Sequence, residues 1–245
     1  MATGFKRRLL DSANKVLDRA GFELVKKGRE FQDYIPFRQT LQDVEKSGLS
    51  LSDFIDNNFN VPGTTQLTID KMAELGVFDN KIDSVCELGP GSGRYLDKVK
   101  NVCNPEYYEI YETSKPWREW LVEKYNVTAQ PTDGASLTST PAKSIDLIHT
   151  HKMLYGNSIL TIFRYLMEMV RVVKDDGVIV FDLVTAECMN NDLMAKWVES
   201  GVDHAHSMTP RQVALNYFSS QGFRYLGGFI VPMSPGLTEY FVFRK

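Results

Sequence analysis

The sequence predicts an α/β protein with a mostly parallel sheet, preceded by a helical arm. An apolar run at residues 84–88 leads into a glycine-rich turn and then a segment with helical spacing. Strand and helix patterns alternate from there to residue 183, which is typical of a parallel sheet with helices on both faces. The last two strands are joined by a connection too short for a crossover helix, so we expect an antiparallel hairpin.

The segment before the glycine-rich turn is helical in pattern and shows no strand alternation. Helices are expected over residues 40–46, 50–57 and 68–75, separated by turn residues. Apolar residues within the first 20 positions also recur at helical spacing among basic ones. Residues 1–30 carry eight basic and four acidic side chains. This amphipathic basic helix would either pack on the body of the protein or contact an anionic membrane surface. We interpret residues 1–80 as a helical arm or lid and residues 81–245 as the main domain.

The elements after the glycine-rich turn follow from local patterns. Strands are expected at 107–111, 127–129, 145–150 and 178–183, and helices at 115–124 and 157–174, with a Lys-Asp-Asp-Gly turn at 174–177. A helix over 210–222 precedes the hairpin strands 223–231 and 238–244. In such a sheet a ligand lies at the carboxyl ends of the strands.

The bulk composition excludes several classes of protein. With 43% hydrophobic residues and a net charge of −3 over 245 residues, the chain gives no reason to expect a nucleic-acid partner. No run approaches the roughly 20 apolar residues of a membrane span, and the start lacks an apolar secretory segment. We therefore expect a cytoplasmic protein, at the inner face of the membrane if the basic helix binds there. Three scattered cysteines argue against a disulfide framework.

The glycine-rich turn has the pattern E-x-G-x-G-x-G, from Glu87 to Gly93. Its glycines permit positive φ and close approach of a ligand, and the helix that follows offers free N–H groups. The Lys-Ser/Thr of a Walker loop is missing, and neither Gly89 nor Gly91 starts a complete G-x-G-x-x-G dinucleotide pattern. Glu87 would repel a pyrophosphate and suits a cationic ligand.

On these residues the sequence resembles the class I S-adenosylmethionine-dependent methyltransferases, and further motifs match in order over residues 81–245. The resemblance implies a Rossmann-like fold with a seven-stranded, mostly parallel sheet of order 3-2-1-4-5-7-6, strand 7 being antiparallel. It also implies S-adenosyl-L-methionine as cofactor. Glu87 and the glycine backbone would then hold its amino-acid part, and Glu112, followed by Thr113, would accept from the ribose hydroxyls. Asp133 with Gly134 would bind the adenine amino group.

Candidates for the chemistry lie near the end of the fourth strand. Methyl transfer to a hydroxyl needs a base that removes its proton. His151 is the first candidate, and His149, on the same face, is a candidate both for catalysis and for a cofactor contact. Tyr155 and Asp182 are secondary candidates. The alternative is a histidine that caps the strand without taking part in proton transfer.

The acceptor is the least determined part of the prediction. Residues 33–37 and 62–66 resemble segments of methyltransferases associated with bacterial surface-polysaccharide genes, so we expect O-methylation of a sugar, glycan or small-molecule hydroxyl. N- or carboxyl-methylation of a small metabolite is an alternative, as is a non-catalytic cofactor-binding regulator or partner subunit. The histidines form two H-x-H pairs, 149/151 and 204/206, yet we expect no metal site. The oligomeric state stays open.

Overall fold

The computed structural model describes residues 35–200, 207–233 and 236–245. Phe37 to Lys245 form one compact unit. Its strands are β1 Ser84–Leu88, β2 Tyr107–Tyr111, β3 Thr128–Ala129, β4 Ile145–Thr150, β5 Val173–Leu183, β6 Arg224–Met233 and β7 Gly236–Arg244. Its helices are α1 Phe37–Ser47, α2 Leu51–Phe59, α3 Thr64–Glu74, α4 Arg94–Cys103, α5 Lys115–Tyr125, α6 Ile159–Val172, α7 Asn191–Ser200 and α8 Arg211–Ser220. Short 3₁₀ turns lie at Leu154–Gly156 and Ala186–Cys188.

The strands form one seven-stranded sheet in the order β3-β2-β1-β4-β5-β7-β6. The pairs from β3 to β5 are all parallel, whereas β7 runs antiparallel to both β5 and β6. The predicted α/β class, strand order and reversed seventh strand are therefore confirmed. The short link after β6 reverses the chain, because only a crossover helix would have kept the strands parallel.

Both faces of the sheet are covered, and strand alternation decides which residues face which layer. In β1, Cys86 and Leu88 pack into a cluster that includes residues of α6 and α8. Val85 packs into the opposite cluster, which includes residues of α3, α4 and α5. Glu87, two residues after Val85, therefore points toward this second layer. That orientation places a carboxylate in an apolar layer, beneath the glycine-rich turn.

The turn predicted at residues 174–177 is wrong, because strand β5 already begins at Val173. Val173 pairs with Ile145, and the register then shifts before Leu147 pairs with Val178. Asp176 takes a left-handed conformation with φ of 71°. The polar residues thus form a bulge inside the strand. A polar, glycine-containing sequence is compatible with either a turn or a bulge, and only the pairing with β4 distinguishes them.

The described part of the predicted arm is helical, as expected. Ser50 caps α2 by accepting a hydrogen bond from the Asp53 N–H, and α3 begins at Thr64, earlier than expected, after left-handed Gly63. Helix α3 contacts α4 and β6. The domain boundary at residue 80 stays a prediction.

The basic helix expected in the first 20 residues and the 204/206 histidine pair lie outside the described residues. Within the described ranges, no helix combines the length and apolar character needed to cross a bilayer.

Candidate active site

The glycine-rich turn joins β1 to α4 in a conformation that needs its glycines. Gly89, Gly91 and Gly93 all have positive φ, between 55° and 79°, a region that other residues rarely enter. Gly93 caps α4, and a Cβ there would collide with the Leu121 side chain of α5. At Gly91 no atom lies within 4 Å of the position a Cβ would take. The turn therefore packs tightly at its end and leaves open space beside its middle.

Glu112 lies beside this turn, directly after β2. Its carboxylate accepts hydrogen bonds from the Gly91 N–H at 2.8 Å and the Ser114 N–H at 2.6 Å. Burial raises the pKa of Glu112, and the two backbone N–H groups partly offset that effect. A carboxylate offers about four lone-pair sites, so Glu112 keeps acceptor capacity for a ribose hydroxyl. Thr113, the next residue, is exposed.

Asp133 lies after β3 in an exposed loop, with Gly134 at a positive φ of 76°. Its carboxylate accepts from the N–H groups of Ala135 and Ser136 and from the Ser136 hydroxyl, each at 2.8 Å. These bonds, led by the Ala135 N–H, lower the pKa of Asp133. The loop thus holds an ionised carboxylate at the surface, beyond the carboxyl end of β3.

Glu87 is the buried carboxylate of the site, with 1% of the residue exposed. The Tyr108 hydroxyl of β2 donates a hydrogen bond of 2.7 Å to it. Burial raises the pKa of Glu87 to about 8, although the Tyr108 hydrogen bond acts in the opposite direction. An approaching cation would therefore favour loss of the Glu87 proton.

Glu87 is the first member of a continuous row of hydrogen-bonded side chains, which we call the buried relay. The Tyr108 hydroxyl lies 2.9 Å from His149 Nε2, His149 Nδ1 lies 2.9 Å from His151 Nε2, and His151 Nδ1 lies 3.2 Å from the Tyr240 hydroxyl. All five residues are buried. The relay crosses the sheet from β1 and β2 through β4 to β7.

Both relay histidines are uncharged at neutral pH. Burial lowers the pKa of His149 to about 3, and burial together with the neighbouring His149 lowers the pKa of His151 well below its ordinary value. The His151 ring also stacks on Tyr95 of α4, with centroids 3.7 Å apart. The predicted pair is therefore brought together on one face, with every ring nitrogen hydrogen-bonded.

Asp182 is fully buried and holds the segment after β4. It accepts from the Lys152 N–H and from the Thr238 hydroxyl, each at 2.7 Å. Lys152 has a left-handed φ of 57°, which this contact with Asp182 stabilises. Tyr155, the other secondary candidate, lies half-buried in the 3₁₀ turn after β4 and packs with Val184, Cys188 and Met233.

Lys152 was not among the residues predicted from sequence. Its ammonium group donates to the Asn60 side-chain oxygen at 2.7 Å and to the Pro232 carbonyl at 3.0 Å. Burial, and then the charge of Arg94, lower the pKa of Lys152, while Asp182 opposes them. The only sequence signal was its position after the fourth strand, beside His151.

A second connection links α2 to the glycine-rich turn. Asp56 of α2 accepts from the Arg94 guanidinium at 2.6 Å, from the Thr65 N–H at 2.8 Å and from the Thr65 hydroxyl at 2.8 Å. Arg94 is the first residue of α4, directly after Gly93. The helical segment before β1 is therefore attached to the helix that follows the turn.

These residues fit a cofactor with a cationic amino-acid end, a ribose and an adenine. The turn leaves open space beside Gly91, Glu87 and Glu112 provide carboxylates at the ends of β1 and β2, and Asp133 provides a third after β3. Groups of three or more potential metal ligands are absent from the described residues.

Comparisons with known proteins agree with this interpretation. Residues 61–226, more than half of the chain, match a family model described as a methyltransferase domain. A sequence search of curated proteins gives no match.

Solved structures with the same fold include two complexes with S-adenosylhomocysteine. Magnesium protoporphyrin IX methyltransferase from Synechocystis PCC 6803 superposes with a TM-score of 0.60 at 10% identity, over 87% of this chain and 97% of that one. N-methyltransferase NodS from Bradyrhizobium japonicum WM9 gives 0.58 at 12% identity, over 84% and 98%. An O-methyltransferase family protein from Burkholderia thailandensis gives 0.56 at 15% identity, over 86% and 64%. The chain belongs to the methyltransferase-domain family, and its fold is that of the class I S-adenosylmethionine-dependent methyltransferases, which supports S-adenosyl-L-methionine as its cofactor.

Proposed function

We propose that this methyltransferase transfers a methyl group to a hydroxyl of a sugar, glycan or other small molecule. One observation carries the proposal. Three nitrogen-bearing side chains lie at the end of β4, namely those of His149, His151 and Lys152. The two histidines are uncharged, and the pKa of Lys152 is lowered toward the uncharged amine. A hydroxyl acceptor needs an uncharged group to take its proton, which must leave as the methyl group arrives. Such a group works best when its pKa lies near the working pH, as that of Lys152 does at about 7. The resemblance of residues 33–37 and 62–66 to polysaccharide-associated enzymes favours a sugar acceptor.

The chain's own residues would divide the work as follows. The bound cofactor supplies an electrophilic methyl group on a sulfonium. Glu87, Glu112 and Asp133 would hold it at the carboxyl ends of the strands, with Thr113 and Gly134 beside them. Groups after β4 would align the adjacent acceptor and remove its proton.

His151 remains our first candidate for the base, and Lys152 joins it. Both ring nitrogens of His151 are hydrogen-bonded, so proton transfer there would use the contact with Tyr240 or with His149. An uncharged Lys152 amine would keep one lone pair free while its hydrogens bond Asn60 and Pro232. We assign Asp182 a positioning role, since it holds the Lys152 backbone, and leave Tyr155 as a candidate for contact with the acceptor.

Substitution of the two candidate bases separates their roles. With an identified acceptor, we expect Lys152→Met or His151→Ala, whichever residue is the base, to lower kcat by 10² or more, and Lys152→Met to bind S-adenosylhomocysteine within about threefold of wild type. Retention of full kcat in both variants would exclude this proton-transfer scheme. Lys143→Met removes an exposed lysine that pairs with Asp175 and serves as the matched control.

The acceptor itself is best found by comparing cells with and without the gene. Mass spectrometry of surface glycans and small metabolites should reveal one species that lacks the mass of a methylene. A hydroxyl-bearing species supports the proposal, whereas an amine or a carboxylic acid supports the N- or carboxyl-methyltransferase alternative. Tight cofactor binding without turnover on any extract would favour the third alternative, a non-catalytic regulator or partner subunit.

Location and partners complete the proposal. We propose that the protein acts in the cytoplasm on a small-molecule or glycan partner and binds no nucleic acid. The basic residues among positions 1–20 would bring it to the inner face of the membrane. Co-sedimentation of the full chain with vesicles containing anionic lipid, against neutral vesicles, tests this part.

A further inference from the structure

The buried relay can hold its protons in two alternative arrangements, a property of the five residues together. Glu87, Tyr108, His149, His151 and Tyr240 are joined by four hydrogen bonds. With both histidines uncharged, each link needs one proton, and the protons can be arranged in only two uninterrupted ways. The two arrangements run in opposite directions and differ by the proton on Glu87.

When Glu87 is ionised, every donor points toward it. Tyr108 donates to the carboxylate, His149 carries its proton on Nε2 and donates to Tyr108, and His151 carries its proton on Nε2 and donates to His149. Tyr240 then donates to His151 Nδ1. Each of the four links then holds one proton, and all four ring nitrogens of the two buried histidines have a partner, as burial requires.

When Glu87 is protonated, every donor points away from it. Glu87 donates to Tyr108, Tyr108 to His149 Nε2, and His149 from Nδ1 to His151 Nε2. His151 donates from Nδ1 to Tyr240. The second arrangement becomes the first if each proton moves one step toward Tyr240 and the hydroxyl proton of Tyr240 leaves. Glu87 then loses one proton, and the three intermediate groups keep their proton count.

The charges around Glu87 determine which arrangement is populated. The groups that face it from the elements packed against β1 are Tyr108 of β2, His149 of β4, Glu112 after β2, Arg94 of α4 and Tyr125 of α5. Burial and Glu112 favour the protonated carboxyl, whereas the Tyr108 hydrogen bond and Arg94 favour the ionised one. A cation beside Glu87 would shift this balance toward ionisation.

We propose that cofactor binding drives one proton out of Glu87 along the buried relay toward Tyr240, so that His149 and His151 both change tautomer. The ammonium of the cofactor's amino-acid end would be the cation that reverses the relay. The proton that leaves the Tyr240 hydroxyl would be released to the buffer. Tyr240 lies opposite the buried Asp182 in the neighbouring strand. Tyr108, His149, His151 and Tyr240 are thus positioning residues for Glu87. The inference rests on cofactor use and is independent of the acceptor.

Two measurements on the full chain with S-adenosylhomocysteine as the probe test this. Calorimetry at pH 7 in buffers of different ionisation enthalpy should show release of about one proton per molecule bound. Between pH 6 and 7.5 the Kd should tighten about tenfold per pH unit and level off above about 8. With ¹⁵N-labelled imidazoles, the probe should move the His149 and His151 protons from Nδ1 to Nε2.

Variants separate the relay from a simple buried carboxylate. Glu87→Gln should bind without proton release and without a tautomer change. Tyr108→Phe should keep proton release, move the pH midpoint of binding upward, and abolish the tautomer change. Tyr107→Phe removes the neighbouring hydroxyl, which bonds Glu109 instead, and should behave as wild type.

The possible results divide clearly. Proton release together with both tautomer changes supports the inference. Binding without proton release in the wild-type protein would overturn it, and so would proton release with unchanged tautomers, since Glu87 would then exchange its proton by another route. These readouts need no acceptor, so they stand even if no hydroxyl substrate is found, and the two proposals fail separately.

Discussion

Removal of the Asp56 carboxylate should destabilise the protein strongly, because the ion pair that it forms is buried. Asp56 and Arg94 have side-chain exposures of only 3% and 12%. In Asp56→Ala, the guanidinium would lose its partner, and the Thr65 N–H would lose its acceptor. Breaking a buried pair by removing one partner typically costs 3–5 kcal/mol. Since Arg94 keeps some contact with solvent, we expect about 3 kcal/mol.

The assay is urea unfolding followed by tryptophan fluorescence, with Tm as a second readout. A loss of about 3 kcal/mol corresponds to roughly 6–12 °C in Tm for a chain of this size. Asp43→Ala is the matched control, because Asp43 lies on exposed α1, 3.9 Å from Lys46. It should cost no more than about 0.5 kcal/mol.

The same experiment tests whether α2 supports the cofactor site. Because Arg94 directly follows the glycine-rich turn, Asp56→Ala should also weaken binding of S-adenosylhomocysteine, and Asp43→Ala should not. Arg94→Met combined with Asp56→Ala should cost less than the sum of the two single variants, since the partners act as one unit. Equal losses of stability in Asp56→Ala and Asp43→Ala would refute the reasoning.

Three further predictions follow from the site. In chemical denaturation, Gly93→Ala should lose about 1–3 kcal/mol more stability than Gly48→Ala. Both glycines have a left-handed φ, but only Gly93 faces a neighbouring side chain, that of Leu121. Equal losses in the two variants would contradict this prediction. Glu112→Ala should weaken S-adenosylhomocysteine binding at least tenfold by calorimetry, through loss of carboxylate hydrogen bonds; an unchanged Kd would exclude its ribose role. Acid should destabilise the fold through His149. Its folded pKa of about 3 lies below its ordinary 6.5, so the unfolded state binds the proton first. The contribution of His149 to the unfolding free energy should fall by up to about 1.4 kcal/mol per pH unit below 6.5. Because the raised pKa of Glu87 acts in the opposite direction over this range, the measured quantity is the difference in unfolding free energy between wild type and His149→Phe, and a difference that stays constant from pH 7 to 5 would contradict that.

The sheet was predictable because its signals are local. Strand β2 over residues 107–111 and strand β4 over residues 145–150 have the predicted bounds, since short apolar runs between turn residues have few alternative conformations. The bulge at Asp176 and helix α7 were not predicted. A left-handed residue inside a strand depends on how that strand pairs with its neighbour, and the local sequence does not reveal this pairing.

Parts of the site followed from sequence and parts did not. Glu87, Glu112 and Asp133 each end or follow a strand, so their placement follows from the fold. Tyr108 and Tyr240 are ordinary aromatic residues of buried strands, and the residues next to them in the sequence do not indicate that their hydroxyls form hydrogen bonds. Their roles depend on which strands lie side by side, a tertiary property.

The contacts of Asp56 and Lys152, which link distant segments of the chain, could not be predicted from local sequence patterns either. Asp56 lies within a short helix, and its ion-pair partner, Arg94, is 38 positions away in the sequence. Lys152 meets Asn60 and Pro232 across even longer separations. Burial changes the chemistry of such groups, and burial is known only once the chain has folded.

The most direct test of the central claim is formation of S-adenosylhomocysteine by the purified full chain. The protein would be supplied with S-adenosylmethionine and a metabolite and glycan extract from cells that lack the gene. We predict turnover that depends on the extract, transfers label from the methyl group to one acceptor, and falls at least tenfold in Glu112→Ala at subsaturating cofactor. Cofactor binding with no labelled acceptor and no S-adenosylhomocysteine from any extract would contradict the claim that this protein is a methyl-transferring enzyme.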